Sequence, residues 1–110
     1  MTLSPWPRTW LFTPADDARK LEAATRSPAG AVIADLEDSV APERKQLARD
    51  EALGFLAAGA GAGGPLRVVR INDPGGEQGR LDLERIRDGD PAAVMVPKAS
   101  ISTQIGRAHV

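Results

Sequence analysis

Short β-prone runs and helical segments alternate along this chain, and three of the four runs close on charged or amide side chains. "RTWLFT" (8–13) stops at Pro14, "AVIADL" (31–36) runs into Glu37 and Asp38, "LRVVRIN" (66–72) ends on Arg70 and Asn72, and "AAVMVPK" (92–98) ends on Lys98. Runs with so little polar content before their last positions need cover on both faces, which intervening helices supply in a parallel sheet. The intervals do read as helical. "DDARKLEAAT" sets Leu21 and Ala24 at helical spacing, with Asp16 and Asp17 at the positive end of the dipole and "SPAG" (27–30) as a stop. "APERKQLARDEALGFLAA" (41–58) places Ala48, Ala52, Phe55 and Leu56 on one face, with Pro42 and Glu43 in its first turn. A third, short helix is expected over 79–89, carried by Leu81, Leu83 and Ile86. "GAGAGGP" (59–65) suits an α-to-β connection; it precedes a strand and lacks the Lys-Ser/Thr ending of a phosphate-binding loop. The fold class is therefore α/β, either a doubly wound sheet or an eight-stranded barrel.

In both architectures, sites are built at the C-terminal ends of the strands. The second strand ends in three carboxylates within four positions, Asp35, Glu37 and Asp38, while Arg70 and Lys98 bring cations to the ends of the next two. With a period of two, Ile33, Asp35 and Glu37 share one face of their strand, as Arg70 and Asn72 do of theirs. Plainer roles stand beside these: a strand-end ion pair for Arg70, and helix capping for Asp38 or Ser39. Trp6 and Trp10 read as packing residues, and Arg44 and Lys45 as a solvated helix face or a phosphate contact.

Composition narrows the classes. With no cysteine among 110 residues, the chain has neither a disulfide framework nor a thiolate metal site, and it fits a reducing cytoplasm. Its 14 basic and 15 acidic residues are mixed, and aromatics make up 4%, so no basic stripe or stacking platform for nucleic acid is expected. No run approaches the roughly 20 apolar residues of a membrane span.

The tail "QIGRAHV" (104–110) continues no element. The string ATC GGA AGA GCA CAC GTC, part of a widely used sequencing adapter, translates as Ile-Gly-Arg-Ala-His-Val. A preceding AG completes CAG, the codon for Gln104. Natural sequence is thus expected to stop near Thr103, leaving His109, the one histidine, without functional meaning.

Four stretches, "RTWLFTP" (8–14), "DLEDSVAPERK" (35–45), "VVRIN" (68–72) and "VMVPKA" (94–99), resemble in order and spacing the β subunit of citrate lyase and its relatives, the CoA-ester lyases of the HpcH/HpaI aldolase superfamily. The resemblance implies a (β/α)8 barrel of roughly 250 residues. Residues 1–103 would then be its N-terminal part, about four strands and three helices, truncated and inactive alone. It implies retro-Claisen or aldol-type cleavage of a 3-hydroxy-acyl thioester, of citryl, malyl or citramalyl type, carried on coenzyme A or an acyl-carrier protein. It also implies Mg²⁺ and a homotrimer or larger assembly. Arg70 would bind the substrate carboxylate as a bidentate fork. Glu37 and Asp38 would accept hydrogen bonds from metal-bound water and steady Arg70. Asp35 would stand near the metal or pair with Lys98, which could instead meet thioester or phosphate oxygens. The direct metal ligands, a glutamate and an aspartate, would follow residue 103, so this chain is assigned neither a metal ligand nor a catalytic residue. Two loop departures are Ala15, where glycine is usual, and Gln78-Gly79, where a Trp-Gly pair is frequent. The reading from another class is a non-catalytic α/β module that holds a cation at its acidic strand end. A phospho-accepting receiver domain fits the cations of "VVRIN" and "VPK" poorly.

Overall fold

The computed structural model describes residues 7–97. Trp6, Lys98 and the 104–110 tail lie outside that range. Four strands, β1 (Trp10–Pro14), β2 (Ala31–Asp35), β3 (Leu66–Arg70) and β4 (Ala93–Met95), form one parallel sheet in the order β1-β2-β3-β4. Helices α1 (Ala18–Thr25), α2 (Lys45–Ala58) and α3 (Glu77–Ile86) connect them, and 3₁₀ turns at Pro42–Arg44 and Arg87–Gly89 flank the last two. The alternation expected from the sequence is present throughout. This is the N-terminal part of a barrel rather than a doubly wound sheet, because consecutive strands are neighbours with no reversal of order. Among the described residues, no helix is long and apolar enough to cross a membrane.

Asp17 caps α1, its carboxylate accepting from the Lys20 amide at 3.1 Å. The 41–58 segment divides at Lys45: Pro42 opens the 3₁₀ turn, and neither its start nor that of α2 carries a side-chain cap. Asp38 and Ser39 are therefore not helix caps. The glycine-rich stretch forms a loop, in which Gly61 (φ 74°) and Gly64 (φ 100°) take the left-handed conformations that a side chain would resist.

Two apolar layers hold the sheet. Val32, Ala34 and Val69 on one face pack with Leu21, Ala24, Ala48, Ala52, Phe55, Leu56 and Ile86 from the helices. On the other face, Ala31, Ile33 and Val68 pack with Ala93 and Met95. Register extends this second face to β1, pairing Trp10 with Ala31 and Phe12 with Ile33. Trp10 is 37% and Phe12 47% exposed, so the side that would line a barrel stays partly uncovered. Trp10 is thus less buried than a packing residue should be.

The third helix departs from expectation in its buried face. Leu81 and Leu83 are exposed, whereas Gly79, Asp82 and Ile86 are buried. Those three recur at i, i+3 and i+7, a true helical stripe, which the paired leucines do not follow. Gly79 is required there because a Cβ would collide with the Asp73 and Asn72 carbonyls. Ala15 sits fully buried, and Asp90 is the non-glycine residue with positive φ among those described, so alanine suits position 15.

Candidate functional site at the strand ends

Parallel pairing brings Pro14, Asp35, Arg70 and Met95 to one level at the ends of the four strands. Because paired residues share a face, Asp35 and Arg70 stand side by side. Arg70 Nε donates to Asp35 Oδ1 at 2.8 Å and Nη2 to Oδ2 at 2.7 Å, a bidentate fork. The guanidinium also lies 4.9 Å from the centre of the Phe12 ring, and Nε is 3.6 Å from Glu37 Oε1. Nη1 has no acceptor among the described residues.

Asp35 organises more than its neighbour strand. Oδ1 accepts the Glu37 amide at 2.9 Å, and Oδ2 accepts the Ser39 amide at 3.1 Å and the Ser39 hydroxyl at 2.7 Å. With Arg70 included, five hydrogen bonds converge on one carboxylate, leaving it little capacity for a metal. Burial raises its pKa, but the bonds from Arg70, Ser39 and the two amides outweigh that and bring it down to about 2. Asp35 pairs with Arg70 here; the alternative partner, Lys98, lies outside the described residues.

The depressed pKa predicts an acid limb of stability. The folded form holds the charged carboxylate more tightly than an unfolded aspartate near 3.8. The contribution is therefore complete above about pH 5 and is lost as pH falls from about 4 through about 2. It amounts to about 2 kcal/mol. Asp35→Asn should flatten this limb in denaturant midpoints measured between about pH 2 and pH 6.

Glu37 is half-buried and Asp38 exposed. Burial and the like charge of Asp38 push the Glu37 carboxyl up, while Arg70 opposes them. The hydrogen bonds and charge of Asp35 raise the Arg70 guanidinium against its own desolvation. Asp35, rather than Glu37 or Asp38, is thus the principal support of Arg70. No group of three metal-ligating side chains occurs among the described residues. Glu37 and Asp38 do present carboxylate oxygens, the donor type that Mg²⁺ takes directly or through its waters.

Three features were not anticipated from sequence. Lys45 turns back from the start of α2, and its Nζ donates to the Leu36 carbonyl at 2.9 Å and the Glu37 carbonyl at 2.7 Å. Arg44 pairs with Asp16, tying the loop after β1 to the approach to α2. Neither is a simple solvated face. Asn72 turns away from Arg70 to a buried polar group, where its Nδ2 donates to the Leu36 carbonyl at 3.0 Å and to Asp82 Oδ2 at 2.7 Å. Asp82 Oδ1 meets Arg49 Nη1 at 3.1 Å, and both side chains are almost wholly buried. The helical spacing of Asp82 with Ile86 was the available sequence signal.

Comparison with known proteins identifies relatives of the whole fold. The profile of the family "HpcH/HpaI aldolase/citrate lyase" matches residues 8–109. A (3S)-malyl-CoA thioesterase of Cereibacter sphaeroides is 39% identical over 93 residues, covering 84% of this chain and 32% of the relative. A citrate lyase subunit beta-like protein of Mycobacterium tuberculosis is 38% identical over 100 residues, covering 87% and 33%. Among solved structures, protein CitE of M. tuberculosis with magnesium and acetate superposes with a TM-score of 0.68 at 35% identity, covering 89% of this chain and 39% of that one. The same protein with magnesium, acetoacetate and coenzyme A gives 0.65 at 37% identity, covering 81% and 31%. The chain thus spans about a third of the length of these curated relatives. With family profile, sequence identity and fold in agreement, the chain belongs to the HpcH/HpaI aldolase/citrate lyase family.

Proposed function

We propose that the gene product carrying this chain is a Mg²⁺-dependent carbon-carbon lyase acting on a 3-hydroxy-acyl thioester of the citryl, malyl or citramalyl kind. The observation that carries the reading is Arg70, fixed on two sides by Asp35 and Phe12 at the strand ends, with Nη1 unengaged among the described residues. A guanidinium so held suits a carboxylate, and its preorganisation lowers the entropic cost of binding one. In cleavage, the bond between the hydroxyl-bearing carbon and the thioester α-carbon breaks. The hydroxyl loses its proton to become the carbonyl of a keto acid, and the enolate carbon takes a proton to give the acyl thioester. Magnesium, bound in the CitE structures, would supply Lewis-acid polarisation of the keto-acid oxygen. Of the described residues, Arg70 would orient the keto-acid carboxylate, Asp35 would hold Arg70, and Glu37 and Asp38 would accept hydrogen bonds from metal-bound water. Lys98 would contact thioester or phosphate oxygens. The carrier would be coenzyme A or an acyl-carrier protein, and the assembly a homotrimer or larger.

A second reading, thioester hydrolysis, is favoured by the malyl-CoA thioesterase relative. Product analysis separates them. Full-length gene product with Mg²⁺ and a 3-hydroxy-acyl-CoA should release a keto acid and a shorter acyl-CoA. Release of free coenzyme A and an intact hydroxy acid would instead make the protein a hydrolase. The 110-residue chain alone should turn over neither, since among the described residues the sheet edges are unpaired and Trp10 and Phe12 are 37% and 47% exposed. We further propose, from the six-codon coincidence, that residues 104–110 are adapter-derived; the family match runs to residue 109. The codons at 105–110 decide it.

A further inference from the structure

The segment 35–40 has to hold Asp35, Glu37 and Asp38 close together against their mutual repulsion. Buried Leu36 and Val40 anchor it, and Asp35 gathers its Glu37 and Ser39 amides. Its carbonyls need donors as well. Those of Leu36 and Glu37 both accept from Lys45 Nζ, that of Leu36 also from Asn72 Nδ2, and that of Glu37 also from the Val40 amide at 3.2 Å. Glu37 therefore meets a cation at each end: Arg70 lies 3.6 Å from its carboxylate and Lys45 lies 2.7 Å from its carbonyl. An ammonium with three donors on a flexible stem can bridge two successive carbonyls, which no neutral side chain of that length does with equal strength.

We propose that Lys45 is a positioning residue of the strand-end site: by clamping the Leu36 and Glu37 carbonyls, it sets where the Glu37 and Asp38 carboxylates stand relative to Arg70. Lys45 acts through the backbone and touches no reacting atom. The proposal rests on the lyase reading above for the ligands these groups serve, but its geometry does not. Removing the clamp frees the turn to relax under the repulsion of its three carboxylates, which should loosen cation binding more than it disturbs the core.

The test is Mn²⁺ binding to the full-length gene product, read by electron paramagnetic resonance beside the melting temperature. Lys45→Met should weaken Mn²⁺ binding about 10-fold, the lower end of the range found when groups around metal ligands are lost, because Lys45 acts through Glu37 and Asp38. Lys45→Arg, which keeps charge and several donors, should stay within about threefold of wild type. Arg26→Met, which removes an exposed ion pair with Glu22 on α1, serves as a surface control and should leave binding unchanged. Wild-type Mn²⁺ affinity in Lys45→Met, with or without a lower melting temperature, overturns the proposal. If Lys45→Met does not fold, Lys45→Gln is titrated instead, and wild-type affinity there has the same consequence. Absence of Mn²⁺ binding in the wild type overturns the metal-dependent reading itself, which distinguishes the two failures.

Discussion

Arg70→Lys in the full-length gene product should lower kcat/KM for the thioester by about 100-fold or more while leaving the protein folded. Lysine keeps the positive charge beside Asp35 but has no planar fork, so it cannot donate two parallel bonds to that carboxylate and still offer an edge to a substrate. A 100-fold loss corresponds to about 2.7 kcal/mol of transition-state stabilisation, within reach of one charge-assisted bidentate contact. The effect should fall on KM and kcat together if the contact strengthens as the keto-acid carboxylate departs, and on KM alone if it is uniform. Near-wild-type kcat/KM in Arg70→Lys would return Arg70 to the plainer role of a structural ion pair. Arg70→Met is the less informative variant. It strips the counter-charge from Asp35, which is 2% exposed, and stranding a buried carboxylate costs about 3–5 kcal/mol, so lost activity could follow from lost structure.

Asp82→Ala should be among the most destabilising single changes in the described region. Asp82 is wholly buried and accepts from Arg49 Nη1, the Asn72 amide and Asn72 Nδ2. Alanine leaves the buried Arg49 guanidinium without its carboxylate, although Gln78 and Gln46 still accept from it; it also orphans the Asn72 backbone amide and takes from Asn72 Nδ2 one of its two acceptors. Among the described residues no buried side-chain nitrogen or oxygen now lacks a partner, so the variant creates defects where none exist. A loss of about 3–5 kcal/mol is expected, a large share of the 5–15 kcal/mol that holds most domains together. Asp82→Asn retains one acceptor oxygen and should fall between. Urea midpoints of the three full-length proteins measure this; equal midpoints for wild type and Asp82→Ala would show that the network contributes nothing net. The effect reaches the strand-end site through Asn72, whose amide also holds the Leu36 carbonyl next to Glu37.

Both predictions concern contacts that are only partly visible in the sequence. Residues 31–36 read as a buried strand because they are apolar until Asp35, and all five residues of β2 are buried. The face carried by Ala48, Ala52, Phe55 and Leu56 was legible from helical spacing and is the buried face of α2. Local pattern failed in α3, where Leu81 and Leu83 suggested the inner face but Asp82 occupies it. Hydropathy assigns an aspartate outward. What turns Asp82 inward is Arg49, 33 positions earlier, and no local period contains that pairing.

The same limit shaped the strand-end site. Sequence placed Asp35, Glu37, Asp38 and Arg70 at strand ends, because an apolar run that must be buried can carry charge only where it leaves the sheet. It did not decide which carboxylate Arg70 meets. Parallel register did, aligning Asp35 with Arg70 across β2 and β3 and turning both to the same face. Likewise, Lys45 reads as a surface residue of a helix until the turn from β2 brings the Leu36 and Glu37 carbonyls within reach of its ammonium. By itself, then, the sequence determined the α/β alternation, the family resemblance and the strand ends at which charge gathers, since these follow from local periodicity and short motifs. Tertiary structure alone decided the pairings, Asp35 with Arg70, Asp82 with Arg49 and Lys45 with the loop carbonyls, because each depends on register and on loop closure between residues distant along the chain.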